Sequence, residues 1–559
     1  MERNAIAATV LVIMILLGYQ WYLARFEAPA QEAPRTAAAP SEPQKSAPTP
    51  SMQPATPSGT AASRPKAYTP TASLGVAARD VTVDTPLMHI VLSTAGGRVT
   101  SWQLKAYLMD SGAPVDLVPH QGGADVPGPL AAWADTEQIQ GVFEIDKDRL
   151  DLTRSGATGT LTFKHVSTAG LQLQKRLTFS ADRYNAEVDI TVQNLSDGDV
   201  AVQPSLAWGP GLRNSKDKKA TTIQPPTLWV DGKQVQEDLE KVNGVKAVSG
   251  KISWTALQDT YFVAALLPEK EGLSAFVDKT KENQPIVGLS ETKKVLQPGG
   301  ELGLKAKAFA GPRDLDILRA EGQDLDKIID LGWFDFVARP ALWLLKFLYN
   351  FTGNYGIAII LVTVLQKVVF YPLTHKSMKS MQAMQAIQPK VQALQERYKN
   401  NAQKKQEETM ALYKKHGVNP MGGCLPMVVQ IPIFIALYNA LSNSVELWQA
   451  HFLWIRDLTQ PDSLFKLTVW GGYELSGNLL GLLMGVSMWL QQKMSPTAGD
   501  PRQAQMMLWM MPILFTFMFW SFPAGLVLYW FVNNVLQIGQ QWLINRAPAR
   551  PPAAEGQAA

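Results

Sequence analysis

Residues 354–374 read NYGIAIILVTVLQKVVFYPLT, apolar at almost every position and carrying one charge, Lys367. About 20 apolar residues rising ~1.5 Å each span a ~30 Å hydrocarbon layer, so the stretch reads as a transmembrane helix with a cation inside it. A charge near a bilayer centre costs about 2.5–3.5 kcal/mol on insertion scales, so such a residue usually faces protein or water. The competing reading is snorkelling, since only about six residues separate Lys367 from a basic loop and a lysine stem can carry its ammonium outward. Thr363, one turn earlier, and the adjacent Gln366 form a polar stripe with Lys367 and favour a functional site.

Working outward, further apolar runs lie at 424–443, 476–494, 505–521 and 524–543, and another at Ala5–Leu23. With 354–373 they make six expected transmembrane helices. The first run ends in Tyr19, Gln20, Trp21 and Tyr22, an interfacial aromatic belt that favours an uncleaved anchor, although Ala28-Pro29-Ala30 leaves signal cleavage open. Gly477, Gly481 and Gly485 put small residues on one face of the 476–494 run, suited to close packing. The loop 374–416 holds nine lysines and arginines against three glutamates. By the positive-inside rule this loop is cytoplasmic, which puts the N-terminus in the cytoplasm and the region between the first two spans on the opposite side.

That region reads as a soluble domain. The expected organisation is an anchor at 1–25, a Pro/Ala-rich linker at 26–73, a β domain at 74–320, an interfacial amphipathic helix at 330–350, a helical core at 354–545 and a short tail at 546–559. The linker composition buries too little apolar surface to offset its ordering entropy. Alternation of Leu171, Leu173, Leu177 and Phe179, then of Ala186, Val188, Ile190 and Val192 against Glu187, Asp189, Thr191 and Gln193, predicts half-buried strands. Residues 194–199, NLSDGD, supply a turn, and Leu302, Leu304, Ala306 and Ala308 outline a late strand. After Pro312 the period becomes helical, with Phe334, Val337, Ala341, Leu342, Leu345 and Leu348 on one face beside Arg339 and Lys346. The fold class is a multidomain α+β membrane protein with a large antiparallel β-sandwich outside the cytoplasm.

Composition narrows the chemistry. A net charge of +4 over 559 residues is too small for a binder that neutralises many phosphates, so nucleic acid is not an expected partner. One cysteine, Cys424, excludes an internal disulfide, and six histidines without ligand spacing give no metal site. No cofactor is expected.

Two further features bear on function. The 376–416 segment reads as a helical hairpin, with Met378, Met381, Met384, Ile387, Val391 and Leu394 at helical spacing and Asn400-Asn401 as the break. Fourteen of the 19 methionines follow residue 374, and flexible thioethers suit a surface that accepts varied apolar segments, although any one of them equally serves as core or lipid-facing filler. In the last span Tyr529, Asn533 and Gln537 recur every four residues and form one inward stripe. No acidic residue falls in a span between Asn354 and Asn443, so Lys367 has no evident ion-pair partner there.

The motifs Tyr371-Pro372-Leu373-Thr374, Asn419-Pro420-Met421-Gly422-Gly423-Cys424-Leu425-Pro426, Gln430-Ile431-Pro432-Ile433-Phe434 and the closing run 522–530, FPAGLVLYW, occur in order. In that order and spacing the chain resembles the YidC/Oxa/Alb insertase family, and its anchor, linker, β domain and five-span core resemble the Gram-negative bacterial branch. The resemblance implies an inner-membrane, multi-pass insertase and chaperone. Such a protein inserts membrane proteins, and helps fold and assemble them, through a hydrophilic groove open to the cytoplasm. The groove here would comprise Lys367, Thr363, Gln366, Gln430, Tyr529, Trp530 and Asn533. An apolar slide on the third and fifth spans would comprise Val428, Ile431, Ile435, Met510 and Leu514. Relatives commonly have arginine at the Lys367 position and a second tyrosine at that of Trp530. The lysine keeps the charge and loses the bidentate fork. Implied partners are nascent membrane proteins, Sec translocon components, the ribosome, the signal recognition particle pathway and the lipid bilayer. The short tail lacks the strongly basic extension that would suggest ribosome binding. The β domain resembles the family's periplasmic supersandwich, akin in fold to sugar-mutarotase domains. His89, His120 and His165 are nevertheless more simply read as isolated histidines than as a sugar site.

Other classes fare worse. No phosphate-binding G-x-x-x-x-G-K-[ST] loop supports an ATP-driven translocase, and no H-E-x-x-H, G-x-S-x-G or paired intramembrane aspartates support a protease, so the chain is not expected to be an enzyme. A small-solute transporter using the buried lysine is the remaining alternative.

Overall fold

The computed structural model describes residues 77–119, 126–213, 224–417, 425–469, 473–494 and 501–546. The expected anchor and linker, the tail beyond Arg546, His120 and the 419–424 part of the Asn-Pro-Met-Gly motif lie outside these residues.

Strand alternation builds the β domain. In Leu171–Ser180 and Asn185–Asn194 the apolar residues Leu173, Leu177, Phe179, Val188, Ile190 and Val192 are buried. The two strands pair antiparallel with Val188 opposite Leu177, and the second pairs on its other edge with Glu301–Pro312, Ile190 opposite Leu304. They lie in a nine-stranded sheet, and two five-stranded sheets accompany it. Trp102, in one five-stranded sheet, packs 6.4 Å from Phe179 in the nine-stranded sheet and 5.8 Å from Trp208 in the other, so one indole joins all three. One pairing departs from the expected antiparallel sandwich: Thr82–Asp84 runs parallel to Arg149–Asp151. Parallel partners need a long crossover, which the intervening chain supplies.

The alternation also carries a lysine into the core. Lys175, opposite Ile190, is fully buried; its ammonium donates to the carbonyls of Leu130 (2.8 Å) and Gly97 and lies 5.2 Å from the Phe163 ring centroid. Burial pushes its pKa down to about 7.

Ten helices complete the described residues, beginning with the short α1, Glu137–Gln140, and α2, Leu315–Glu321, which Asp314 caps by accepting from the backbone of Asp316 and Ile317. The amphipathic α3, Asp335–Thr352, starts a few residues later than expected, and Ala338, Leu342 and Leu345 are its buried face. Helix α4, Tyr355–Ala386, runs without a break past Pro372. The helix thus continues beyond the apolar run 354–373, and the first arm of the expected hairpin is continuous with it. Just past the proline the Thr374 hydroxyl donates back to the carbonyls of Phe370 and Tyr371. Helices α5, Gln388–Arg397, and α6, Ala402–Lys415, finish the hairpin, Asn401 capping the latter by accepting from Lys404. The remaining helices are α7, Leu425–Ser442; α8, Leu479–Met494; α9, Pro501–Phe519; and α10, Ala524–Arg546. Gly477 belongs to the strand Tyr473–Gly477, paired with Phe465–Val469, so only Gly481 and Gly485 of the expected glycine stripe are helical. At Gly485 an added methyl would collide with Thr516, which shows how closely α8 and α9 approach. By length and composition α4 alone among the described residues is long and apolar enough to cross a membrane. The amide-rich face of α10 lowers the hydropathy of that helix.

The β domain is braced on the helices. Lys346 of α3 pairs with Asp314 (3.0 Å), Asp316 (2.8 Å) and Glu446 (2.9 Å). Burial alone would lower its pKa, but Glu446, Asp316 and Asp314 outweigh it and hold the pKa above the ordinary lysine value. Trp448 packs 5.0 Å from Tyr261 and 5.3 Å from Phe262, and its indole donates to the Leu108 carbonyl at 2.8 Å.

Two outcomes follow from these buried lysines. Lys175 has a folded-state pKa below its unfolded value, so between about pH 7 and pH 10 the unfolded chain binds the extra proton and stability rises with pH, by up to ~1.4 kcal/mol per unit. Denaturation of the β domain followed by its tryptophan signal should show that slope, and Lys175→Met should flatten it. Lys346→Ala should cost about 2 kcal/mol, below the range for fully buried pairs because Asp316 is exposed. Limited proteolysis of residues 322–334 should become faster in that variant.

Candidate functional site

Two adjacent residues of α4, Gln366 and Lys367, make polar contacts from that helix to α7 and α10. The Lys367 side chain is partly buried, and the ammonium donates to Gln537 Oε1 of α10 at 3.1 Å. Toward the hairpin the same two helices are joined again by Gln540 donating to Thr374 Oγ1 (3.0 Å) and Gln382 donating to Asn545 Oδ1 (3.0 Å). On the other side of Lys367, Gln366 donates to Gln430 Oε1 of α7 at 3.3 Å, and the Gln430 amide donates to the hydroxyl of the buried Tyr529. Asn533 lies one turn from both Tyr529 and Gln537. Its side-chain oxygen, like that of Gln366, is buried and meets no hydrogen-bond donor among the described residues.

Four of the expected groove residues thus fall in two neighbouring bonded groups, Lys367 with Gln537 and Gln366 with Gln430 and Tyr529, with Asn533 between Tyr529 and Gln537 on the α10 stripe. Thr363 is fully buried and its hydroxyl donates back to Ile359 at 2.7 Å, which places it in helix packing beside the cluster. Trp530 points elsewhere: it stands edge-on to Phe434 at 4.8 Å and lies 5.4 Å from Phe519, in an aromatic group that also holds Phe522. Of the expected slide residues, Ile431, Met510 and Leu514 are exposed and Val428 and Ile435 partly so. Sequence reading did not pair Lys367 with Gln537 or Thr374 with Gln540, nor foresee Asn534 donating to Ser487 of α8 at 3.2 Å. The available signal was the density of amides on α10.

The electrostatics follow from what surrounds the ammonium. Among the described residues no carboxylate lies within ion-pair distance of Lys367, and an amide dipole orients toward a charge without cancelling it. The cluster therefore keeps a net positive charge and two unspent acceptor oxygens in an apolar bundle. Such a surface can take a carboxylate or polar N–H and O–H groups from another chain, and it contains no nucleophile–base pair.

Comparison with known proteins accords with this picture. A model of the YidC periplasmic domain matches residues 80–344, and a model of the 60Kd inner membrane protein matches residues 347–550. The "Membrane protein insertase YidC" of Syntrophus aciditrophicus (strain SB) is 37% identical over 98% of this chain and 100% of its own length. The chain belongs to the YidC family of membrane protein insertases. YidC of Geobacter sulfurreducens (strain ATCC 51573 / DSM 12127 / PCA) is 40% identical over 83% of this chain and 86% of its own, and YidC of Geobacter metallireducens (strain ATCC 53774 / DSM 7210 / GS-15) is 37% identical over 99% and 100%. As a YidC-family member the chain is an inner-membrane protein with a periplasmic β domain, and the Lys367 cluster falls in the part matched by the inner-membrane model. These relatives are named as insertases, not as catalysts of a reaction, and none supports the solute-transport alternative.

The Gln430–Tyr529 contact joins α7 to α10, so a double-mutant cycle with Gln430→Leu and Tyr529→Phe should give a coupling of about 0.6 kcal/mol and no more than about 1.7 kcal/mol, the mean and maximum for interhelical hydrogen bonds in membranes. Thermal or detergent-induced unfolding of the four proteins measures it.

Proposed function

We propose that this chain inserts nascent membrane proteins into the inner membrane by holding their polar flanks at the Lys367 cluster while their apolar segments pass to lipid along α7 and α9. The observation that carries the reading is an intramembrane ammonium bonded to a neutral amide, Gln537, with no carboxylate in reach among the described residues. A substrate carboxylate supplies the missing counter-charge, and the unpaired oxygens of Gln366 and Asn533 accept from N–H groups of the substrate's polar flank. The polar flank thereby avoids part of its desolvation cost, while transfer of an apolar segment into lipid is favourable without nucleotide. The membrane potential adds about 2.3 kcal/mol per charge per 100 mV.

In this reading six helices span the membrane, the five described here together with the 5–23 run. The basic hairpin lies in the cytoplasm with the N-terminus, since nine lysines and arginines against three glutamates oppose its translocation. Tyr529 borders the groove, Thr363 packs behind it, and Trp530 belongs to the neighbouring aromatic group with Phe434 and Phe519. Val428, Ile431, Ile435, Met510 and Leu514 form the slide. The hairpin faces ribosomes and the signal recognition particle pathway, and the protein works alone or beside the Sec translocon.

Photocrosslinkers placed at Gln430 and Asn533 for the groove, and at Ile431 and Leu514 for the slide, test this with a ribosome-stalled single-span substrate. Groove adducts should form with the polar flank at short chain lengths and slide adducts with the apolar segment at longer ones. Adducts at neither set, with normal insertion after depletion of the protein, would refute the reading.

A further inference from the structure

Helices α8 and α9 carry apolar stripes that no part of the described structure covers. Leu482, Val486 and Leu490 recur every four residues on α8, and Trp509, Ile513 and Phe517 do so on α9; all six are exposed. The helices pack side by side, closely enough that Gly485 faces Thr516 without room for a methyl. Each stripe extends eight residues, about 12 Å, close to the ~15 Å apolar depth of one leaflet. At the end nearer the 495–500 connection, Lys493 sits over the Trp489 ring at 5.1 Å, and Trp489 lies 5.8 Å from Trp509. Among the described residues Lys493 has no carboxylate within ion-pair distance, and the Trp489 indole N–H is shielded from water without an acceptor. Arg546 over Trp542, at 3.6 Å, repeats the cation–indole arrangement at the end of α10.

We propose that this is a binding site for an anionic phospholipid of the cytoplasmic leaflet. Its phosphodiester lies at Lys493, whose ammonium is held in place over the Trp489 ring, and one acyl chain lies between the two stripes. A free phosphate would satisfy the cation and leave the stripes bare; a zwitterionic lipid would cover the stripes and set a second cation against Lys493. The charge and the apolar faces together select a lipid with net negative charge. The inference rests on the membrane placement given above and is independent of the Lys367 cluster.

The test uses the full chain in nanodiscs of equimolar phosphatidylglycerol and phosphatidylcholine, without substrate, with retained lipids counted by native mass spectrometry. Wild type should retain phosphatidylglycerol preferentially. Lys493→Gln should reduce that preference about fivefold, the factor equivalent to the ~1 kcal/mol of one basic residue at an anionic surface. Lys493→Arg should keep it, Trp489→Phe should weaken it, and Lys414→Gln, which removes an equal charge from the hairpin, should leave it unchanged. Excess inorganic phosphate should not displace the lipid. Unchanged preference in Lys493→Gln, equal loss in Lys414→Gln, or displacement by phosphate would each overturn the site. Because no insertion is measured, failure here leaves the insertase reading standing.

Discussion

A single ammonium held among amides inside an apolar helix bundle is the constraint on which the rest of the helical core depends. Lipid cannot solvate Lys367, and the described residues provide no carboxylate for it. The neighbouring helices must therefore supply dipoles. Gln537 supplies the nearest, and the amides and hydroxyls of Gln366, Gln430, Tyr529, Thr374 and Gln540 extend the polar environment above and below. That requirement explains why α10 tolerates so many polar residues and why its hydropathy falls below that of a simple span. It also leaves the bundle with a charge still to be neutralised, which is a weakness for stability and an asset for capturing a polar chain.

The end of the bundle nearer the β domain is held more firmly. The turn before α10 is clamped by backbone bonds from Ala524 to Gln460 and Gly525 to Leu458, each 2.8 Å, and the aromatic group of Phe434, Phe519, Phe522 and Trp530 packs next to it. Lys346 and Trp448 tie α3 and the segment after α7 to the β domain. The β domain thus braces the helix ends. Toward the hairpin the joints between α4 and α10 are side-chain amides, which exchange partners at less cost than packed aromatics.

Much of this was legible in the residues. Period-two alternation at 171–179 and 186–192 marks strands because one face is buried and a slip of one residue would reverse it. Lys175 was not legible: it occupies an inward position of that very strand, yet a lysine there reads as a break in the apolar face until two backbone carbonyls come into view. The apolar run 354–373 marks the span, but α4 itself continues to Ala386, because helical propensity beyond Pro372 carries on into the polar hairpin arm where the apolar signal stops. Gly477 shows the reverse, a small residue assigned to a helix that strand pairing with Phe465 claims first. In the site, the four-residue spacing of Tyr529, Asn533 and Gln537 revealed the stripe, but which amide meets which partner depends on helix rotation, and no spacing within one helix encodes that. The bonded pairs Lys367–Gln537 and Gln430–Tyr529 therefore emerge only once three helices are assembled.

The most direct test of the charged cluster is a charge exchange between groove and substrate. Insertion of a single-span protein with an acidic translocated flank would be measured with wild type and with Lys367→Glu, and again with the flank's aspartates replaced by lysines. Electrostatic capture requires Lys367→Glu to fail with the acidic flank and to recover with the basic one, while Lys367→Arg supports the acidic flank. If Lys367→Glu inserts both flanks equally well, or fails equally with both while the protein remains folded, the charge at this position does not act through the substrate.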